Sequence, residues 1–343
     1  MHELLKTVQK WQVGEMNFAE YVQNAGRPLA APLAGFPGIT LTKSTVFENL
    51  HDGLLQAKTI TALHNEVSFD IVFPMMDLTV EAEALGAKIN WNVDELPSVT
   101  GTKVLSKADA ESLIIPKIGE GNRLGVFVET CSTLKRNFPD KPVWSYVLGP
   151  FSTAGRLTGM TEIAMAVKLE PDVVHSTLCK ANDLIKSYAG ALLDTGVDGL
   201  MVLEPAAGML GLNDANEFSN AYIVEIIDIV KARGKTPALH NCGKIMHLVE
   251  SLCATGIEVL HVGSVTDPFA VYPRVPDNVV VMGNIDPTAI FLGGTPDEVK
   301  DAAMSLRDRM SGCSRFIISS GCDIPSAAPI ENLVAFSSVA TGS

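Results

Sequence analysis

Residues 199–242 read GLMVLEPAAGMLGLNDANEFSNAYIVEIIDIVKARGKTPALHNC. The stretch opens on an apolar run at 199–204, passes through a polar loop and a helical segment, and closes on a second apolar run at 237–242. Between the runs, Phe218, Tyr222, Ile226, Ile229 and Val230 recur every three or four residues, the spacing that lines up one face of an α-helix. Gly234 supplies the stop, because glycine enters the left-handed conformation that ends helices without a side-chain penalty. Short runs with no polar alternation are buried on both faces. Joined by an amphipathic helix, two of them make a parallel strand–helix–strand unit.

The same alternation extends in both directions. Apolar runs fall at 30–36, 71–77, 143–149, 199–204, 237–242, 258–263, 279–284 and 316–321, with helical patterns between them. Eight such units predict a single α/β domain, a (β/α)8 TIM barrel over 30–343 preceded by an N-terminal helical extension over 1–29. The rival, an open doubly wound sheet, lacks its Gly-rich dinucleotide fingerprint, since the loop after the first run reads Gly35-Phe36-Pro37-Gly38. The excess length falls in an amphipathic segment, MHELLKTVQKWQVGEMNFAEY at 1–21, and in 87–122, where Trp91, two prolines and several turn residues predict a hairpin and a connecting loop.

Composition narrows the partners. A chain of 343 residues with 47% hydrophobic and 19% charged residues can bury a large core, roughly 75% of the surface its unfolded form exposes, so it needs no disulfide or structural metal to fold. A net charge of -13 offers nothing to nucleic acid or to an anionic membrane surface. The first residues lack a signal-peptide core, and runs such as 71–76 and 279–282 are far too short to cross a bilayer. Six scattered cysteines fit a reducing compartment, with the cytoplasm as the expectation.

In a TIM barrel the loops after the strand C-termini build the active site, and this chain places a ring of polar residues there: Asp77, Glu204, His240-Asn241-Cys242, His261, Asn284 with Asp286, and Cys322-Asp323. His240 and Cys242 are two residues apart on one strand, so both side chains point the same way. Cys322 enters the same mouth from the last strand. One imidazole and two thiolates form a three-ligand zinc set with an open position, and thiolates favour zinc over magnesium or calcium. On spacing alone, a packed core pair is the alternative. Cys131, Cys179, Cys253 and Cys313 fall in helical patterns and read as ordinary buried thiols; His247 reads as a helix residue that caps or packs. Asp77 and Glu204 are the candidate catalytic carboxylates. The structural alternative is a helix cap near Thr79 for Asp77 and a pairing with Arg156 for Glu204.

Five segments carry a resemblance: DLTVEAEALG at 77–86, GPFSTAGRL at 149–157, LHNCG at 239–243, MGNIDP at 282–287 and SGCDIP at 320–325. In order and with barrel spacing, they resemble the uroporphyrinogen decarboxylase superfamily, and within it the corrinoid-dependent methyltransferases. The resemblance implies that His240, Cys242 and Cys322 hold Zn2+, and that a small acceptor or donor such as a thiol exchanges a methyl group with a corrinoid of the methylcobalamin type. Asn284, Asp286 and His261 are then the expected cofactor-binding residues. No Asp-x-His-x-x-Gly segment of the kind that ligates cobalt occurs here, so a separate corrinoid carrier protein is the expected partner; whether the protein is a homodimer is left open. A porphyrinogen decarboxylase would carry arginines in the first loop, where this chain has Gly35-Phe36-Pro37-Gly38, and a histidine where it has Cys322. The decarboxylase, and a non-catalytic barrel binding zinc or a corrinoid, are the alternatives.

Overall fold

In a computed structural model, residues 17–340 are described; the amphipathic segment expected at 1–21 lies outside them up to residue 16. Among the described residues nine strands form: β1 Leu29–Ala30, β2 Lys88–Asn90, β3 Ser98–Thr100, β4 Trp144–Leu148, β5 Gly199–Leu203, β6 Thr236–Asn241, β7 Val259–Val262, β8 Val280–Ile285 and β9 Phe316–Ser320. Seven of them make one curled parallel sheet in the order β1-β9-β8-β7-β6-β5-β4, while β2 and β3 pair as the antiparallel hairpin expected in the 87–122 insertion. Among the described residues, no helix is long and apolar enough to cross a membrane.

Six of the expected strands form at the expected places. The first two depart from expectation. The run at 30–36 yields only Leu29–Ala30 as strand and ends in a 3-10 turn at Phe36–Gly38. The run at 71–77 yields a single parallel bridge from Val72 to Val143. Both contain prolines, Pro32 and Pro74, which remove the backbone donor that a ladder needs. The 70–72 segment nevertheless bonds to both ends of the sheet: Asp70 N–H donates to the Ala30 carbonyl at 2.8 Å, Val72 N–H to Pro142 at 2.9 Å, and Trp144 N–H to Val72 at 2.9 Å.

Two cores follow from the two-residue period of the strands. Trp144, Tyr146 and Leu148 of β4, Met201 and Leu203 of β5, Ala238 of β6, Val259 of β7, Val280 and Met282 of β8 and Ile317 of β9 pack together on the inner face. Their neighbours Val147, Val202, Leu239, Leu260, Val281 and Ile318 pack outward against the helices. The helix Ala221–Ala232 buries Ile223, Ile226, Ile227 and Val230 in that outer layer, follows a π-turn over Asn216–Asn220, and gives way to Gly234 at φ 64°. The inner core is closed at the N-terminal end of the strands by helix Phe18–Gln23, which an Asn17/Glu20 capping box starts. Its Phe18 is wholly buried, with its ring centroid 5.1 Å from that of Trp144. Gly199 lies flat against Trp144, where a Cβ would come within 2.6 Å of the indole.

Candidate metal centre

The inner-face register that buries Ala238 also carries the next inward positions of β6, His240 and then Cys242, to the C-terminal end of the sheet. The same holds on β7, where Val259 is followed by His261, and His240 is the direct register partner of His261. Ser319 and Ser320 end β9, and Gly321 turns the chain so that Cys322 faces β6. The imidazole nitrogen of His240 and the sulfurs of Cys242 and Cys322 lie within 4.8 Å of one another, and Cys322 Sγ is 3.7 Å from His240 Nε2. Tetrahedral zinc with bonds of about 2.3 Å to sulfur and about 2.05 Å to nitrogen sets ligand atoms roughly 3.6 Å apart. The trio therefore fits zinc without large rearrangement.

Neighbouring loops hold the trio in place. Asn241, pointing outward and wholly buried, donates from Nδ2 to the Glu204 carbonyl at 2.6 Å and accepts from Gly243 N–H at 2.8 Å, which fixes the turn that carries Cys242. Gly263, after β7, lies so close that a Cβ would meet Cys242 Cα at 2.5 Å. Thr266 donates to the Gly243 carbonyl at 2.9 Å. Of the two cysteines Cys242 is the one favoured as thiolate: the S–H of Cys322 and the adjacent His240 ring pull the Cys242 thiol down to about 4, whereas the neighbouring Cys242 and burial push Cys322 up. Cys242 is thus the readier thiolate.

Behind the trio a buried chain orients His240. His240 Nδ1 and His261 Nδ1 are 2.6 Å apart. On its far side, His261 Nε2 meets the Ser320 carbonyl at 2.9 Å and Ser319 Oγ at 3.2 Å. The carbonyl can only accept, and Ser319 spends its own proton on the Ala31 carbonyl at 2.8 Å, so His261 carries its proton on Nε2. Burial pushes the His261 pKa down and keeps the ring neutral. Its Nδ1 is then an acceptor, His240 donates from Nδ1, and the His240 Nε2 lone pair faces the cysteines.

Several expectations are corrected by this geometry. His261 is wholly buried and lies behind His240, on the side of that ring away from Cys322. Asn284 donates to the carbonyls of Gly263 at 2.8 Å and Thr266 at 2.5 Å, tying the loops after β7 and β8 together. Asp286 caps the helical turn Pro287–Leu292 through Thr288 and Ala289. Glu204 falls on the outward register of β5, so its carboxylate meets the start of helix Pro150–Thr158 instead of the mouth or Arg156: it accepts from Phe151 N–H at 3.0 Å, from Ser152 N–H at 2.7 Å and from the Ser152 hydroxyl. Asp77 is paired with Arg123 at 2.6 Å and accepts from Thr79 N–H and Oγ1, each at 2.7 Å, so both of its oxygens are engaged. That is close to the helix-cap alternative, with an arginine added that sequence reading missed; Arg123 also stacks on Trp91, 4.6 Å from the ring centroid. All six cysteines are free, with Cys131 and Cys253 buried as expected, but Cys179 is exposed and Cys313 is half-buried beyond the end of helix Pro296–Arg309. His247 precedes the next helix and contacts the Leu210 carbonyl at 2.9 Å.

Known proteins share both sequence and fold with this chain. It is 26% identical over 317 residues to the methylcobamide:CoM methyltransferase MtbA of Methanosarcina acetivorans, covering 88% of this chain and 91% of that protein. It is also 26% identical over 246 residues to the uroporphyrinogen decarboxylase of Pelodictyon phaeoclathratiforme, covering 69% of this chain and 68% of the other. Among solved structures, a methyltransferase from Methanosarcina mazei superposes with a TM-score of 0.82 at 20% identity, covering 93% of this chain and 95% of that one, which shows a common fold. The profile of the uroporphyrinogen decarboxylase (URO-D) family matches residues 38–342. With nearly the whole sheet and its C-terminal loops inside that match, the chain belongs to the uroporphyrinogen decarboxylase (URO-D) family.

Proposed function

We propose that this protein is a zinc-dependent, corrinoid-dependent methyltransferase that moves a methyl group between a methylcobamide-type corrinoid and a small thiol, with coenzyme M as the first candidate. The observation that carries the reading is the His240, Cys242 and Cys322 trio at the strand C-termini. The name of the Methanosarcina relative, methylcobamide:CoM methyltransferase, supports the same chemistry. We read the sheet as a closed barrel in which the 70–72 segment is the eighth stave, on the strength of its hydrogen bonds to both β1 and β4, with residues 1–29 as an extension.

Zinc held by one imidazole and two thiolates would acidify a thiol in its fourth position while leaving that sulfur electron-rich. The chain's own residues prepare that position. His261 holds the His240 proton on Nδ1, and Asn241 fixes the Cys242 turn. In the reaction the substrate sulfur attacks the methyl carbon of methyl-Co(III); the S–C bond forms, the Co–C bond breaks, and its electron pair leaves with Co(I). The corrinoid arrives on a separate carrier protein in the cytoplasm, docked over the mouth. Asp77 and Glu204 take no part in proton transfer in this reading, because every one of their oxygens is engaged.

The test is to mix the purified protein with methylcob(III)alamin and coenzyme M and follow the visible spectrum. Loss of the methyl-Co(III) bands, with methylated coenzyme M as product, is the expected result. Cys242→Ala and Cys322→Ala should lose bound zinc and turnover together. Full zinc occupancy and full activity in both variants would sink the proposal, and release of carbon dioxide from uroporphyrinogen would favour the decarboxylase instead.

A further inference from the structure

Tyr146 sits on the inner face of β4, two residues closer to the mouth than Trp144. It is only 7% exposed, yet its hydroxyl has no hydrogen-bond partner among the described residues. The ring cannot turn to find one: it is stacked on Phe73, with centroids 5.4 Å apart and planes 6° from parallel. Rotation about the ring axis leaves a phenol oxygen where it is. A buried hydroxyl without a partner costs stability. A molecule that completes such a group when it binds is one account of its retention.

What surrounds that hydroxyl indicates which molecule. In register Tyr146 pairs with Met201 and Met201 with Ala238, the inward residue that precedes His240 on β6, so the ring lies one inward layer below the His240 imidazole, and Asp323 and Cys322 are the ionisable groups whose charges bear most on its hydroxyl. Burial pushes the phenol well up, which keeps it a donor at any ordinary pH.

We propose that Tyr146 is a substrate-contact residue whose O–H donates to the sulfur of the small thiol lodged beside Cys322. This rests on the thiol reading of the site given above and adds a residue that recognises the substrate. The contact suits a thiolate, which accepts a hydrogen bond from a neutral phenol without a second charge being buried. It also makes Tyr146 dispensable for holding the metal, because none of its atoms belongs to the trio or to the His261 chain.

Replacing the native metal with Co(II) gives a visible reporter of sulfur ligation, and titration with coenzyme M then reads thiol affinity without turnover. In Tyr146→Phe, Co(II) and zinc should bind as in the wild type, the melting temperature of the thiol-free protein should be no lower, and coenzyme M should bind about 3- to 10-fold more weakly, the loss of one neutral hydrogen bond. Unchanged coenzyme M affinity in the variant, with a wild type that responds, overturns this assignment and leaves the methyltransferase reading standing. A drop in metal affinity or in thiol-free stability makes Tyr146 a structural residue and overturns it too. A wild-type spectrum that ignores coenzyme M overturns the thiol reading, and the assignment with it.

Discussion

At the scale of single residues, the site works through proton placement. His240 can offer Nε2 to a metal because His261 takes the proton of its Nδ1 at 2.6 Å, and His261 is in turn held by the Ser320 carbonyl and Ser319. Partners behind a ligand of this kind set tautomer and ring angle, and their loss costs roughly 10- to 100-fold in metal affinity. His261→Ala should therefore retain the fold, seen as an unchanged far-ultraviolet dichroism spectrum, but release zinc to a competing chelator at least about 10-fold more readily. Equal zinc affinity in the variant and the wild type would mean that His240 is oriented by packing alone.

At the scale of elements, strand parity decides which carboxylate does what. Glu204 follows Leu203 on β5, and because Leu203 points inward, Glu204 must point outward. There it is wholly buried and caps helix Pro150–Thr158 through two backbone N–H groups and Ser152. Gly149 is required at the same place, since any Cβ would collide with the Glu204 carboxylate. Burial outweighs those donors and raises the Glu204 pKa from 4.5 to about 7. A raised pKa means that the folded state holds the proton more tightly than the unfolded chain does. The stability this contributes is complete below about pH 4.5 and is lost as pH rises through about 7, on the order of 3 kcal/mol for such a shift. Urea unfolding at pH 5 and pH 8 should show a smaller loss between the two in Glu204→Gln than in the wild type, and parallel losses would refute the role given to burial.

At the scale of the whole molecule, the inner core joins the two ends of the curled sheet. The mouth end carries the polar layer of His240, His261 and Ser319, while the other end is filled by Trp144 and plugged by Phe18. Phe18 is far in sequence from Trp144 of β4, against which its ring packs, so the helix Phe18–Gln23 joins the inner core through long-range contacts. Phe18→Ala should destabilise the protein by about 3–5 kcal/mol, the cost of emptying an aromatic site in a close-packed interior. A denaturation midpoint within error of the wild type would show that the plug is dispensable.

Much of this architecture was legible in the chain. Six of the eight strands, the helix that ends at Gly234 and the hairpin in the insertion follow from apolar period and turn residues, which are local properties. The closeness of His240, Cys242 and Cys322 was legible because His240 and Cys242 share a strand face and Cys322 ends another strand. The shortening of the runs at 30–36 and 71–77 was not, because Pro32 and Pro74 withhold ladder donors there while Pro237 is accommodated at the start of β6, and the neighbouring strands decide which of the two a proline does. The roles of His261, Glu204 and Asp77 were not legible either: each lies near a strand end, as a site residue should. What they do was decided by neighbours 46 to 59 residues away, namely Ser320 for His261, Ser152 for Glu204 and Arg123 for Asp77. Sequence sets which side of a strand a residue takes; only the folded packing sets whether a buried polar group finds its partner in the protein or waits for one from outside.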